Sequence, residues 1–169
     1  MKKPITTIIF VLFSILSGGC SADCDHMQER PAGQSDVIAL ACDPIPVVRV
    51  GFIGLGMRGI GAVERFMYLD SVEVVALCDL EAENLARSQA VLREKTRPEA
   101  AEYMGPEDWK RLCERPDIDL VYISTDWLSH TPMAVYAMEQ GKHVAVEVPA
   151  AVTVEECWKL VDTAEKTRR

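Results

Sequence analysis

Residues 47–59 of the chain, VVRVGFIGLGMRG, decide its fold. The first seven of them form a nearly continuous apolar run, which is typical of a strand buried on both faces of a parallel sheet. Gly54, Gly56 and Gly59 then follow with the spacing G-x-G-x-x-G, and apolar residues recur at helical spacing after them. The stretch therefore predicts a buried strand, a glycine-rich turn and a helix.

A second predicted strand, residues 72–78, strengthens this interpretation because it ends at Asp79, 20 positions after Gly59. Strand, glycine turn, helix, strand and acidic residue together form the fingerprint of a dinucleotide-binding site. Gly54 permits the tight turn, Gly56 lets the backbone approach a pyrophosphate, and Gly59 lets helix and strand pack closely. The helix N-terminus presents unpaired N–H groups to the phosphates. An alternative stays open, in which the glycines serve only the turn and the packing while Asp79 caps a helix.

Asp79 also predicts which dinucleotide binds. A carboxylate at this position accepts hydrogen bonds from the adenosine ribose hydroxyls and repels a 2′-phosphate. No basic residue follows it before Arg87. The sequence therefore predicts NAD rather than NADP.

Helices and strands continue to alternate after Asp79, which predicts an α/β fold with a doubly wound parallel sheet, the Rossmann NAD-binding domain. Thr153 and Glu156 have the spacing of a capping box and predict the start of the last helix. The remaining predicted elements are helices at 82–93, from Pro106 and from Thr131 to Gly141, and strands at 119–124 and 143–147.

Residues 1–19 predict an export signal. Lys2 and Lys3 precede a mostly apolar run of 12 residues, 5–16, and three small residues then lead to Cys20. A transmembrane helix needs about 20 apolar residues, so this run is short for a permanent span, although that alternative stays open.

Cys20 after small residues resembles the lipobox of bacterial lipoproteins, except that Leu16 lies four positions before the cysteine instead of three. We expect Cys20 to be lipidated, which predicts a periplasmic or outer-membrane lipoprotein that meets the membrane only through its lipid. Cleavage by an ordinary signal peptidase is the alternative. Residues 20–46 contain three prolines without a sustained period and predict a tether, and 47–169 predict the NAD-binding domain.

The composition excludes some functions. A formal charge of −8 argues against a protein that binds nucleic acid phosphates. The cysteines other than Cys20 lack C-x-x-C spacing, so neither a disulfide framework nor a metal site is predicted.

Two further strings, DWLSH at 126–130 and GKHVAVEVP at 141–149, resemble the Gfo/Idh/MocA superfamily of oxidoreductases. Together with VEECW at 154–158 they are most similar to glycoside hydrolase family 109, whose members are NAD-dependent glycosidases such as α-N-acetylgalactosaminidases. The resemblance covers 47–169. One departure is Val148, where dehydrogenases of the superfamily usually have a lysine that serves near nicotinamide and substrate. Its absence favours glycoside cleavage over alcohol oxidation.

The resemblance implies where the cofactor lies. Its pyrophosphate would contact Met57 and Arg58, and its adenosine ribose would contact Asp79. Its nicotinamide would lie along Trp127, Leu128, Ser129 and His130, and the nicotinamide ribose near Glu147 and Val148. Other interpretations stay open: Trp127 as a rim or core aromatic residue, His130 as a residue that only precedes a helix, and Glu147 as a partner of backbone donors. Trp109 and Trp158 are expected in the core.

The resemblance also implies a mechanism without a carboxylate pair flanking the glycosidic bond. NAD oxidises the sugar C3 hydroxyl, the C2 proton is lost with the aglycone, water adds, and the hydride returns to C3. No catalytic residue is expected in this chain, because the resemblance places the acid and base in a second, C-terminal substrate domain.

The chain alone is therefore expected to be inactive, with an exposed sheet edge and apolar face that favour self-association. A homo-oligomer of a full-length form stays open. The alternatives in function are an NAD-dependent sugar dehydrogenase and a truncated, inactive NAD-binding lipoprotein.

Overall fold

The computed structural model of the protein describes Gln34 and residues 36–169. The predicted export signal, its lipidation site Cys20 and most of the predicted tether lie outside these residues. No helix among the described residues has the length and apolar character to cross a membrane.

Within residues 36–169, five parallel strands form one sheet. Its order is β3-β2-β1-β4-β5, so β1 lies in the middle and the connections leave it toward both edges. This confirms the predicted doubly wound sheet. The strands are β1 Val48–Ile53, β2 Val72–Asp79, β3 Ala101–Met104, β4 Leu120–Ile123 and β5 His143–Val146.

Five α-helices of the described chain cover the sheet. They are α1 Met57–Phe66, α2 Ala82–Glu94, α3 Asp108–Cys113, α4 Trp127–Glu139 and α5 Val154–Thr167. Successive side chains of β1 enter opposite cores: Phe52 packs with α1 and α2 residues, and Ile53 packs with residues of α3 and α4. Burial on both faces explains why this strand is apolar almost throughout.

Three elements differ from the sequence prediction. Strand β3 was not predicted, because three of its four residues are exposed and no apolar run marks it. Helix α3 begins at Asp108, so Pro106 lies in the preceding turn. Helix α4 begins at Trp127 and contains Pro132, because the Asp126 carboxylate accepts hydrogen bonds from two backbone N–H groups of the first turn.

Helix α5 confirms the predicted capping box at Thr153, but its apolar face is only partly covered. Trp158 is 40% exposed, so the prediction of a core tryptophan is wrong there, and Trp109 is half-buried. The buried side chain of this helix is instead Glu165, which accepts hydrogen bonds from Gln34 Nε2 and from the Val37 N–H, both at 3.0 Å. The described part of the predicted tether, with a 3₁₀ turn at Val37–Ala39, thus contacts α5.

The turn between β1 and α1 is tightly built. Gly54 has a φ of +83°, which favours glycine, and its carbonyl oxygen accepts a hydrogen bond from Ser124 Oγ at 2.7 Å. A Cβ on Gly59 would clash with that same carbonyl oxygen and would lie 2.8 Å from Ser124 Oγ. Glycine at position 59 is therefore a packing requirement of the chain itself.

Replacing Gly59 by alanine is expected to lower the free energy of unfolding by about 3 kcal/mol or more, because the obstructing atom belongs to the backbone and cannot move aside. Urea unfolding measures the change. Gly61→Ala is the matched control in the same helix, since its nearest neighbour is the mobile end of Arg65 at 3.4 Å. That variant should gain about 0.5 kcal/mol from helix propensity. Equal effects of the two substitutions would contradict the packing argument.

Candidate functional site

A groove opens where the carboxyl ends of β1 and β4 separate, the place at which ligands bind doubly wound sheets. Its volume is about 450 Å³. Backbone from the glycine turn forms one wall, and residues that follow β2, β3 and β4 form the others. They include Gly54, Gly56, Asp79, Leu80, Glu81, Asn84, Gly105, Pro106, Trp109, Ser124, Thr125 and Asp126.

Asp79 ties the glycine turn to the end of β2. Its Oδ2 accepts a hydrogen bond from the Leu55 N–H at 2.5 Å. Its Oδ1 accepts from the Glu81 N–H at 2.9 Å and from Asn84 Nδ2 at 3.1 Å. Helix α2 starts at Ala82 with Glu81 as its N-cap residue, so Asp79 is a groove residue ahead of the helix. A carboxylate fixed at this edge is suited to hold hydroxyl groups.

Gly56 differs from the other two glycines of the pattern. A Cβ built there would have no heavy atom within 4 Å, and its φ of −62° is open to any residue. The fold therefore does not need glycine at this position. The empty space in front of it, at the start of α1, is the kind of opening that lets a phosphate approach backbone N–H groups.

A smaller pocket of about 280 Å³ lies at the other end of the same crevice. Ser124 and Thr125 line both pockets, so the two meet at the end of β4. The other lining residues come from α1, α4 and the segment after β5, and they are Arg58, Trp127, His130, Glu147 and Val148. The smaller pocket thus collects most of the residues to which the resemblance assigned the nicotinamide end.

Glu147 is held by the neighbouring strand. Tyr122 Oη donates a hydrogen bond of 2.7 Å to Glu147 Oε1, and this bond is the main reason why the pKa of Glu147 is lowered, against the opposing effect of burial. Burial, followed by Glu147, raises the pKa of Tyr122. The carboxylate therefore stays charged at neutral pH and is paired with a side chain, in addition to its place at a strand end.

His130 is 1% exposed and contacts backbone on two segments. Its Nδ1 lies 2.8 Å from the Pro149 carbonyl oxygen, and its Nε2 lies 3.2 Å from that of Thr125. It lies inside α4, so the interpretation that it only precedes a helix is wrong. Its ring joins the segment after β5 to the segment after β4, which fixes one wall of the smaller pocket.

Four apolar side chains lie open at the rim. Exposed fractions are 83% for Met57, 63% for Trp127, 73% for Leu128 and 82% for Val148. Trp127 is therefore a rim residue and not a core residue. Ser129 turns its hydroxyl away to the Asp126 carboxylate, at 2.6 Å, where it helps to lower the pKa of that N-cap aspartate.

Sequence reasoning missed several residues of the crevice. Ser124, Thr125 and Asp126 directly follow a strand, so their position at its carboxyl end was a usable signal. Asn84, Trp109 and Tyr122 had no such signal, because only the folded sheet brings them beside the groove or its carboxylate.

The cysteines of the described structure do not form a metal-binding group. Burial raises the pKa of the Cys78 and Cys113 thiols to about 12, while Cys42 and Cys157 are exposed and free. Among the described residues, no three His, Cys, Asp or Glu side chains lie together in a way that would hold a metal ion. The prediction of no metal stays a prediction.

Comparison with known proteins identifies the family to which this chain belongs. Residues 48–169 match an oxidoreductase family with an NAD-binding Rossmann fold, GFO_IDH_MocA. The chain is 60% identical over 140 residues to a Bacteroides fragilis protein named alpha-N-acetylgalactosaminidase, a match that covers 83% of this chain and 33% of that protein. It is 61% identical over 163 residues to glycosyl hydrolase family 109 protein 1 of Bacteroides fragilis, covering 94% and 35%.

A solved structure agrees with these matches. The myo-inositol dehydrogenase from Lactobacillus casei, solved with NAD(H) and myo-inositol, is 31% identical with a TM-score of 0.59, over 69% of this chain and 33% of that one. These findings confirm the resemblance stated from the sequence. The chain spans about a third of the length of the curated relatives it matches.

Replacing His130 by alanine is expected to lower the free energy of unfolding by about 3 kcal/mol, since it leaves a cavity and removes the hydrogen bond that the ring N–H donates to a backbone carbonyl group. Trp127→Ala in the same helix should change it by less than about 0.5 kcal/mol, because that side chain is exposed. Urea unfolding of both variants measures the difference. A stability of His130→Ala equal to that of the unaltered chain would refute the role given to this ring.

Proposed function

Since the chain belongs to the Gfo/Idh/MocA oxidoreductase family, we propose that it is the NAD-binding half of an exported glycosidase that hydrolyses N-acetylgalactosaminide-like glycosides by a redox-neutral route. The observation that carries the proposal is its 60% identity to a protein named alpha-N-acetylgalactosaminidase. Because the chain corresponds to about a third of that protein, the catalytic acid and base are assigned to a domain beyond it, and the chain alone is expected to be inactive.

The crevice fits the proposed cofactor. Gly56, Met57, Arg58 and the N-terminus of α1 would hold the pyrophosphate, because Gly56 leaves the approach open and Arg58 supplies positive charge. The larger groove would take the adenosine and the smaller pocket the nicotinamide end. Trp127 and His130 would form one wall of the smaller pocket, which Glu147 and Val148 also line. Leu128 lies exposed at the rim and Ser129 lines the larger groove, so we place both beside the nicotinamide end rather than in its pocket.

The charges of the larger groove favour NAD over NADP. Asp79 and Glu81 both line the end where the adenosine ribose would lie, and none of the residues that the structure places around this groove is basic. A 2′-phosphate would meet two carboxylates without a compensating cation, which disfavours it.

Val148 favours glycoside cleavage over net oxidation. Bound nicotinamide supplies a reversible hydride acceptor. The valine side chain lines the smaller pocket and offers no proton donor or acceptor there. The Glu147 carboxylate, with its lowered pKa, remains charged and is suited to accept hydroxyl hydrogen bonds. We assign to the residues of this pocket the binding and orientation of cofactor and sugar, and to the C-terminal domain the transfer of protons to the sugar.

Export and lipidation at Cys20 belong to the same proposal. A redox-neutral reaction does not consume NAD, so it suits a compartment without a nicotinamide pool. The match to the family 109 protein covers 94% of this chain, so it leaves only 6% of the residues unmatched. Residues 1–20 make up a larger share of the 169 residues than that, and the match therefore extends into the signal-like segment. That extension supports the segment as a genuine part of the protein.

The alternatives are an NAD-dependent sugar dehydrogenase and an inactive NAD-binding lipoprotein. Similarity to the myo-inositol dehydrogenase favours the first, and Val148 counts against it.

Gly56→Ala is expected to weaken NAD binding more than tenfold, because the new methyl group occupies the path of the pyrophosphate. Its free energy of unfolding should stay within about 0.5 kcal/mol of the unaltered chain, since the Cβ meets no atom of the protein. Calorimetric titration with NAD and urea unfolding measure the two effects. Unchanged NAD affinity would argue against a pyrophosphate at this turn.

A chimera tests the proposed activity. The chain replaces the matching N-terminal third of the Bacteroides fragilis alpha-N-acetylgalactosaminidase, and release of sugar from an aryl α-N-acetylgalactosaminide is measured with and without Gly56→Ala. The proposal predicts sugar release without accumulation of NADH, and loss of that release in the variant. Accumulation of NADH without sugar release would favour a dehydrogenase. A folded chimera with neither activity would favour the inactive lipoprotein.

Native mass spectrometry of the protein from its own cells tests the anchor. The proposal predicts a diacylglycerol mass on Cys20 that Cys20→Ala abolishes. A free Cys20 after cleavage would favour the ordinary signal peptidase, and an uncleaved chain in the membrane would favour a permanent span.

A further inference from the structure

Tyr122 and Glu147 form a pair behind the smaller pocket. Tyr122 belongs to β4, Glu147 directly follows β5, and their hydrogen bond of 2.7 Å joins the two elements. Glu147 lines the pocket, whereas Tyr122 is not among its lining residues. The tyrosine thus acts on the pocket through the carboxylate.

The ring of Tyr122 is itself fixed by aromatic packing. Its centroid lies 5.2 Å from that of Phe52, at an interplanar angle of 36°, and 5.6 Å from that of Phe66, at 78°. Phe52 and Phe66 contact each other edge to face at 5.2 Å, and Phe52 is fully buried. Three mutually packed rings leave the hydroxyl little freedom, so it is presented to Glu147 from a set position.

From this geometry we infer that Tyr122 is a positioning residue, which holds the Glu147 carboxylate charged and oriented at the nicotinamide end of the crevice. The inference rests on the proposed function for the identity of the ligand. The pairing itself rests on the aromatic cluster and the hydrogen bond.

The charged and polar groups around Glu147 come from three elements. Tyr122 approaches from β4, Arg58 and Arg65 from α1, and His130 lines the same pocket from α4. The Tyr122 hydrogen bond is the largest cause that lowers the pKa of Glu147, ahead of the two arginines. Without that bond the pKa should rise, so the carboxylate would become neutral at a higher pH than in the unaltered chain.

Tyr122→Phe keeps the ring and removes only the hydroxyl. We expect NAD binding by this variant to be about threefold weaker at neutral pH and to be lost at a higher pH than in the unaltered chain as the solution is acidified. Calorimetric titrations between about pH 4 and about pH 8 give the binding profile, and ¹³C NMR of the side-chain carboxyl follows the titration of Glu147 directly.

Tyr136→Phe is the matched control. Tyr136 Oη donates to Glu114 Oε1 at 2.6 Å, so the same kind of bond is removed from a pair that lines neither pocket of the crevice. This control should leave NAD binding and its pH profile unchanged. In a Glu147→Gln background, Tyr122→Phe should no longer shift the profile, because the titrating group is gone.

The outcomes separate the inference from the proposed function. If the unaltered chain binds no NAD, the proposed function loses its cofactor, while the carboxyl titration still decides whether Tyr122 controls Glu147. An unshifted titration of Glu147 in Tyr122→Phe overturns the inference. A shifted titration with an unshifted binding profile overturns it as well, and so does a loss of affinity of the same size in the Glu147→Gln background.

Discussion

The contact between the β1–α1 turn and the end of β4 is the constraint on which the rest of the structure depends. Ser124 donates its N–H to the Ile53 carbonyl at 2.9 Å and its hydroxyl to the Gly54 carbonyl at 2.7 Å, while Gly59 packs against the same carbonyl. These bonds join the middle strand β1 to its neighbour β4. Between these two strands the strand order of the sheet reverses, because β2 and β3 lie on one side and β4 and β5 on the other. Ser124 lines both pockets of the crevice. The same residue therefore fixes the packing of the glycine turn and forms part of the candidate ligand site.

Much of this architecture could be predicted because it is encoded locally. β1 and β2 are apolar runs beside turn residues, and three glycines at fixed spacing define the turn between strand and helix. Strand β3 lies at the edge of the sheet with mostly exposed residues, so hydrophobicity gives no signal for it. The start of α4 depends on hydrogen bonds to Asp126, which outweigh the preference of Pro132 for a first turn.

The residues of the candidate site likewise divide into those that the sequence predicts and those that only the fold brings together. The glycine turn and Asp79 follow one another within a single βαβ unit, so their spacing alone indicates their proximity. Glu147 and His130 act through partners that lie 25 and 19 residues away, Tyr122 and Pro149, and a sequence without the sheet order does not reveal such pairs. Four of the six residues that the resemblance assigned to the nicotinamide end line one pocket, namely Trp127, His130, Glu147 and Val148. Only the fold shows that His130 supports the wall and that Glu147 is held by a tyrosine.

The two buried cysteines of the described structure determine how its interior responds to oxidants. Burial raises the pKa of the Cys78 and Cys113 thiols to about 12, so both are protonated at neutral pH. Oxidants attack the thiolate, so we expect these side chains, one of which borders the larger groove, to react slowly with oxidants at neutral pH. We therefore expect the interior of the described domain to tolerate oxidising surroundings without a partner that reduces its thiols.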